Sequence, residues 1–360
     1  MAEIISFTTE ELIQRAECSS TVMVVRPRNF MFNEETAISN KFQVRYGAND
    51  SNMDTGSGTG TGTGSTADGT GTPGTPGTGT GSISHRAIKE FDQFVNILKS
   101  KHIKVILIDD TADPIKPDAV FPNNWVTFHL KDAGKVILYP MCAENRRYER
   151  RLDAVDRCVA ELTNNSTNSN INSVDNKSNN EVIDMSDQES RGVYMEGTGS
   201  MLFDHLNKII YCCLSIRASF TVLVDVSREL GYSWVVFRAV DTSNFPIYHT
   251  NVMLAIGEQY SVVCGDSIVE DPAQLTAEET AIAGDGSYSG RVLGREEVLA
   301  SLAGTDLTYK REVVSISTEQ MNCFAGNMLE LFGTTTTTTR TRTATTAGTD
   351  SSCRKSFLMM

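Results

Sequence analysis

The chain has 360 residues, 40% of them hydrophobic and 21% charged, with a formal net charge of −13. Frequent apolar runs without heptad spacing exclude collagen-like, coiled-coil and wholly disordered classes, and no run approaches the ~20 apolar residues that span a bilayer. The acidic balance argues against a nucleic-acid partner, because phosphate binding needs basic clusters.

The N-terminus, MAEIISFTTEELIQRAE, has no apolar secretion signal. The 8 cysteines contain no CxxC pair, so the thiols read as reduced and the protein as cytoplasmic. After an extension over 1–20, TVMVVRP (21–27) is a short apolar run ending at proline, the pattern of a buried strand. Residues 84–101 place Ile88, Phe91, Phe94, Val95 and Leu98 on one helical stripe. KVILIDD (104–110) is a strand, and NNWVTFH with KVILYPM forms a hairpin around Asp132–Gly134. ERRLDAVDRCVAEL is a helix, SMLFDHLNKIIYCCLS two strands turning near Asn207, TVLVDVSREL a helix and WVVFRAV a strand. IYHTNVMLAIG and YSVVCGDSI form a further strand pair, GREEVLASLAG is a helix, and REVVSISTEQM is a strand entering a helix.

Hairpin, helix and strand recur in that order. This predicts one α/β domain of ββαβ-like units over 21–332 rather than a doubly wound parallel sheet. Three tracts interrupt it: Gly-Thr repeats at 51–84, an Asn/Ser-rich stretch at 163–190 and a Thr-rich tract within 333–360. Their composition cannot bury enough apolar surface to offset ordering, so they read as disordered inserts. No GxGxxG opens a helix after a strand and no GxxxxGK[ST] occurs, so no nucleotide is indicated. HExxH and paired CxxC are absent too, so neither metal nor organic cofactor is expected.

Five polar blocks lie at strand ends, where a scaffold places chemistry: RPRNFMFNEETA, PDAVFPNNWVTFH, YPMCAENRRYERR, EGTGSMLFD and IYHTNVML. Locally each has an ordinary reading. Asp118 follows Pro117 and could simply form a turn. Arg146 and Arg147 could form a solvated face or pair with Glu149. His249 could be a hydrogen-bonded core histidine, and Cys142, Cys212, Cys213 and Cys264 in apolar strands could be inert buried thiols. Cys323, near a Gly-Asn turn, could be exposed.

Taken in order, and with LSIRAS and EQMNCFAGNMLEL, these blocks resemble arginine-deiminase-related proteins over roughly 21–332. Citrulline-utilisation hydrolases and relatives of dimethylarginine dimethylaminohydrolase belong to this group. The resemblance implies a pentein fold, a five-bladed α/β propeller of ββαβ units around a polar site. It also implies attack by a Cys thiolate on a guanidinium or ureido carbon, with no cofactor. The implied partner is a small guanidino or ureido amino acid; no oligomer is assigned. Glu196 of EGTGS and His249 of YHTNV match the catalytic pair, Glu196 clamping substrate nitrogens and His249 acting as general acid/base. Asp118 matches a second acid, and Arg217 of LSIRAS the group that grips the α-carboxylate. Asn123, Asn124 and Asn251 complete the substrate-binding set, and the amides at 123 and 124 favour a neutral ureido ligand such as citrulline over arginine. The family's nucleophile lies in a Gly-rich GGGSxRC block after GNMLEL, and no such block occurs in these 360 residues. The expectation is therefore an incomplete last blade without its nucleophile, since neither Cys323 nor Cys353 has the glycine setting. Amidinotransferase chemistry and a ligand-binding pseudoenzyme are the alternatives.

Overall fold

Strands this short can only build small sheets, and each must bury a face against a helix or another sheet. The computed structural model describes residues 18–43, 83–130, 133–163, 180–284, 289–333 and 341–344. It begins with β1 (Thr21–Arg26), α1 (Glu34–Ala37), α2 (Ile83–Ser100) and β2 (Lys104–Asp109). Next come β3 (Val126–His129), β4 (Lys135–Leu138), α3 (Glu144–Arg147), α4 (Leu152–Thr163) and β5 (Glu181–Asp184). The middle holds α5 (Gly197–Ser200), β6 (Met201–Asp204), β7 (Ile209–Cys213), α6 (Phe220–Leu230) and β8 (Ser233–Phe237). The remainder is β9 (Leu254–Ile256), β10 (Tyr260–Val263), α7 (Ala277–Ala283), β11 (Gly290–Val292), α8 (Arg295–Ala303), β12 (Glu312–Ser315), α9 (Thr318–Asn322), β13 (Glu330–Gly333) and β14 (Thr341–Ala344).

These strands form five sheets of two to four strands. In three of them a hairpin is followed by a helix and a strand returning parallel to the hairpin's second strand. The units are β3–β4 with β5, β6–β7 with β8, and β9–β10 with β12. β1 and β2 run parallel in register from Thr21 opposite Lys104 to Arg26 opposite Asp109. β13 and β14 pair antiparallel, and β11 joins the edge of β8. The architecture is α/β.

Helix α2 buries Phe91, Val95 and Leu98, spaced for one face, against Val22, Val24 and Ile103. Fully burying each such side chain contributes roughly 1.5–3 kcal/mol. The main core lies under α6, where Phe220, Val222, Leu223 and Val226 pack with Tyr139, Met195, Met201 and Trp234. A second core joins Tyr211, Phe237, Met253 and Val263. Among the described residues no helix is long and apolar enough to cross a membrane.

The structure corrects several readings. The stretch 163–190 is not wholly an unstructured insert: Thr163 closes α4, Glu181–Asp184 is a strand, and Ser186–Arg191 is a 3-10 helix. The strand forms because Val182 and Ile183 find partners in Val136 and Ile137. The 3-10 helix is held because the Glu189 carboxylate accepts the Met141 backbone N–H and pairs with Arg147 and Arg150. Cys142 follows β4 in a loop and Cys264 follows β10 at the start of a 3-10 turn (Gly265–Ser267), neither lying in a strand, and IYHTN turns through a 3-10 segment (Thr250–Val252) before β9. Ser19 and Ser20 also join the fold, through a bridge to Leu331 and a bond from Lys104. Of the other two tracts, residues 51–82, 334–340 and 345–360 lie outside the described residues, while Ile83 and Ser84 begin α2 and Thr341–Ala344 forms β14.

Candidate functional site

Loops leaving β1, β2, β4, β7 and β8 converge on a polar cavity of about 40 Å³. Its lining includes Thr36, Asn40, Asp118, Asn123, Asn124, Arg146, Arg217, Tyr248, His249 and Asn251. A larger, mainly apolar cavity of about 220 Å³ also touches Ser39 and Tyr248, but none of Asp118, Glu196, Arg217 or His249 lines it.

The centre of the site is Glu196, fully buried before the short helix α5. Its Oε1 accepts the Cys142 backbone N–H at 3.2 Å. Its Oε2 accepts from Arg217 Nη1 at 3.2 Å and lies 2.8 Å from His249 Nε2. Arg146 Nη1 stands 3.7 Å from the same oxygen. Burial alone would raise the Glu196 pKa, but Arg217, His249 and Arg146 outweigh it and hold the carboxyl well below the usual range. Burial has the larger effect on His249 and lowers its pKa despite the Glu196 bond, so the imidazole is neutral at pH 7. An ionised Glu196 can only accept, so Nε2 carries the proton and Nδ1 is the basic atom.

Two glycines of EGTGS allow this approach. Gly197 adopts φ +41°, and a Cβ there would meet the Asn123 carbonyl. At Gly199 a Cβ would lie 2.8 Å from His249 Nδ1 and against the Asn124 amide nitrogen.

All of the residues matched from sequence gather here, but their bonding differs from the expected roles. Arg217 is 2% exposed, and its guanidinium is engaged by Glu196, by Ser39 Oγ at 2.9 Å from Nε, and by the Thr36 carbonyl at 2.9 Å. It also lies over the Tyr248 ring at 4.9 Å. Asn124 accepts from Arg146 Nη1 at 3.1 Å and donates to the Glu196 carbonyl at 3.4 Å. Asp118 accepts from Asn33 Nδ2 at 2.7 Å and from Thr36 Oγ1 at 3.3 Å, both on Oδ2. The side chains of Asn123 and Asn251 line the cavity and bond to no described residue.

Arg146 takes the buried ion-pair alternative, with Glu149 accepting from Nε and Nη2 at 2.9 Å each. Burial, together with Asp118 and Glu196 and against the pull of Arg146, raises Glu149 to about 7. Thr36, Ser39, Asn40 and Tyr248 were not singled out from sequence. The first three belong to the RPRNFMFNEETA block and its continuation, and Tyr248 adjoins His249, so proximity to those blocks is the signal that could have found them.

No described cysteine lines the cavity. Cys212, Cys213 and Cys264 are buried, Cys323 is exposed, and Cys353 lies outside the described residues. The Cys142 thiol is raised by burial and by Glu196, which disfavours a thiolate. Among the described residues no group of three or more His, Cys, Asp or Glu could hold a metal ion.

No curated protein matches the chain in sequence. Among solved structures, the arginine dihydrolase ArgZ from Cyanobacteria is 14% identical with a TM-score of 0.44, over 68% of this chain. The chain spans only 30% of ArgZ's length. The substrate-bound N-terminal domain of ArgZ is 13% identical with a TM-score of 0.49, over 86% of this chain and 80% of that one. A dimethylarginine dimethylaminohydrolase adduct with S-methyl-L-thiocitrulline is 16% identical with a TM-score of 0.38, over 67% and 88% of the two chains. Residues 77–354 match the family model of eukaryotic N,N dimethylarginine dimethylhydrolases. That match covers most of the sequence and most of the site blocks, and the chain belongs to the eukaryotic N,N dimethylarginine dimethylhydrolase family.

Proposed function

We propose that the protein acts on the guanidino or ureido C–N bond of an arginine- or citrulline-like amino acid by covalent Cys chemistry. One observation carries this reading: a carboxylate, Asp118, and a neutral imidazole, His249 held by Glu196, face one small polar cavity. A planar N–H-rich group matches that pairing, because Asp118 accepts from its nitrogens while His249 manages protons. Glu196 fits as the group that orients His249 rather than as a clamp for substrate, since both of its oxygens already accept within the protein. Asn123 and Asn251 supply free amides for the ligand.

In the reaction, a Cys thiol passes its proton to His249 Nδ1 and the resulting thiolate adds to the central carbon. The C–N bond breaks, and the nitrogen leaves as ammonia or an amine after taking a proton from His249. Water, deprotonated by His249, then adds to the carbon and expels the thiolate, giving the ureido or carbamate product. No described cysteine lines the cavity, so the thiol is assigned to none of them. The five sheets are read as the five blades of a pentein propeller that extends past the expected 21–332, since Thr341–Ala344 pairs with Glu330–Gly333 in the last.

The absence of a cavity-lining cysteine among the described residues favours a second reading, a cradle that binds the same ligand without turning it over. The test is calorimetry and ammonia or amine release with L-citrulline, L-arginine and N,N-dimethylarginine. Binding with release supports the hydrolase. Binding without release supports the cradle, and no binding of any of the three overturns both.

A further inference from the structure

We propose that Asn33 is a positioning residue that aims the Asp118 carboxylate at the ligand, an inference that rests on the ligand class proposed above. Asn33 is 1% exposed and lies far from Asp118 in sequence, yet donates Nδ2 to its Oδ2 at 2.7 Å. An asparagine amide can point either end at a neighbour, so something must select the donor end. Asn145 pairs with Asn33 reciprocally, Nδ2 donating to Asn33 Oδ1 at 2.7 Å and Oδ1 accepting from Asn33 Nδ2 at 3.2 Å, so the donor of fixed identity that selects the orientation is a backbone N–H. The backbone N–H of Glu35 also donates to Asn33 Oδ1 at 3.2 Å, the N-cap bond of α1. With Oδ1 taken twice, Nδ2 faces Asp118.

Gln43 completes the arrangement. Oriented with Nε2 toward Thr36 Oγ1 (3.0 Å) and the Asn33 carbonyl (3.1 Å), it leaves the Thr36 hydroxyl as a donor, with Asp118 Oδ2 and the Asn33 carbonyl each 3.3 Å away. Both inward bonds thus fall on Oδ2. Oδ1 accepts from no described residue, and Asp118 lines the cavity. Asn33 therefore holds one oxygen so that the other is presented to the ligand. Substrate contact stays with Asp118; Asn33 acts only through it.

The Asn33→Asp variant separates this role from simple support of the fold. It keeps the N-cap acceptor, because Asp caps as well as Asn, but replaces the donor to Asp118 with an acceptor. Two facing carboxylates repel at high pH and take up one shared proton as the pH falls, and that proton rebuilds a donor. The charged groups around the pair are Arg146 on α3, 3.9 Å from Asp118 Oδ2, and Glu35 on α1, with Glu149 and Glu196 beyond Arg146.

The experiment is calorimetric binding of L-arginine and L-citrulline to the full chain, wild type and Asn33→Asp, at pH 8 and pH 5.5. A bond to a charged group predicts a weakening of about tenfold or more at pH 8, with most of it recovered at pH 5.5 relative to wild type. Equal affinity at pH 8 overturns the proposal. So does an equal loss at both pH values accompanied by a lower Tm, which marks a structural role. If the variant does not fold, Asn145→Ala serves instead: it removes the shorter of the two bonds that hold Asn33 Oδ1 and should weaken binding several-fold, and no change overturns the proposal. A readout without ligand is exchange of the Asn33 side-chain NH2 protons by NMR, slow in wild type and fast in Asp118→Ala. If wild type binds neither ligand while this protection holds, the ligand class fails and the Asn33–Asp118 contact stands. If the protection is missing, the positioning fails.

Discussion

Glu196 Oε2 lies 2.8 Å from His249 Nε2 and 3.2 Å from Arg217 Nη1, so one buried oxygen both orients the imidazole and neutralises a buried guanidinium. Glu196→Gln should damage both functions. Arg217 and Arg146 would lose their shared counter-charge, and removing one partner of a buried pair costs about 3–5 kcal/mol. A urea melt checks this. Because the folded carboxyl titrates below its unfolded value near 4.5, its stabilisation is complete above pH 4.5 and is lost as pH falls. The wild type should therefore show a steeper acid limb than Glu196→Gln. Parallel curves would contradict the assigned charge network.

Gly199→Ala tests the close approach behind His249. The added methyl would press on His249 Nδ1, 2.8 Å away, and on the Asn124 amide, both fixed by other bonds. Overpacking of this kind costs about 1–3 kcal/mol. Ligand affinity should fall with it, since Nδ1 is the atom left for chemistry. Calorimetry and a thermal melt on the same sample check both, and unchanged values in both would show that the loop yields freely.

The sequence made some of this legible and hid the rest for physical reasons. The hairpins at 126–138 and 201–213 and the face of α2 could be read because their apolar residues repeat at local spacing. The site blocks could be read because polar residues crowd the strand ends. Helix α7 was missed because it buries no residue; its one signal is the Thr276–Glu279 capping box. β5 was missed because its partner, β4, lies beyond the Asn/Ser-rich tract. The bonding of Arg217 could not be read, since Ser39 is 178 residues away and no local pattern encodes that contact.

His129 should govern part of the pH dependence of stability. Burial, aided by the nearby His205, lowers it to about 3. It bonds through Nε2 to Thr127 Oγ1 at 2.9 Å, which in turn bonds Tyr139 at 2.7 Å. In the unfolded chain His129 takes a proton near pH 6.5, while the folded ring does not until about 3. Between those values the unfolded state holds more protons, so stability rises with pH and is lost on acidification. His129→Gln keeps a polar partner for Thr127 without the titration. Its urea midpoint should vary less between pH 6.5 and pH 4 than the wild type's, and an identical slope would remove His129 from the account.

The last test concerns how two neighbouring sheets are joined. Asp204 ends β6, and Arg311 precedes β12 in a different sheet. Arg311 donates Nη1 and Nη2 to the two Asp204 oxygens at 2.7 and 2.9 Å and Nε to the Gly257 carbonyl at 2.6 Å. Both side chains are almost wholly buried. Asp204→Asn would take from Arg311 the carboxylate that both of its Nη atoms bond, at a cost of about 3–5 kcal/mol. Arg311→Gln would leave the buried Asp204 carboxylate with the two Asn207 N–H donors but without its counter-charge. The double variant removes both charges together, so it should be clearly less destabilised than the sum of the two single variants. Urea melts of the three variants measure that coupling. A double variant that simply adds the two losses would mean that packing around Asp204 and Arg311, not their charge pairing, holds these sheets together.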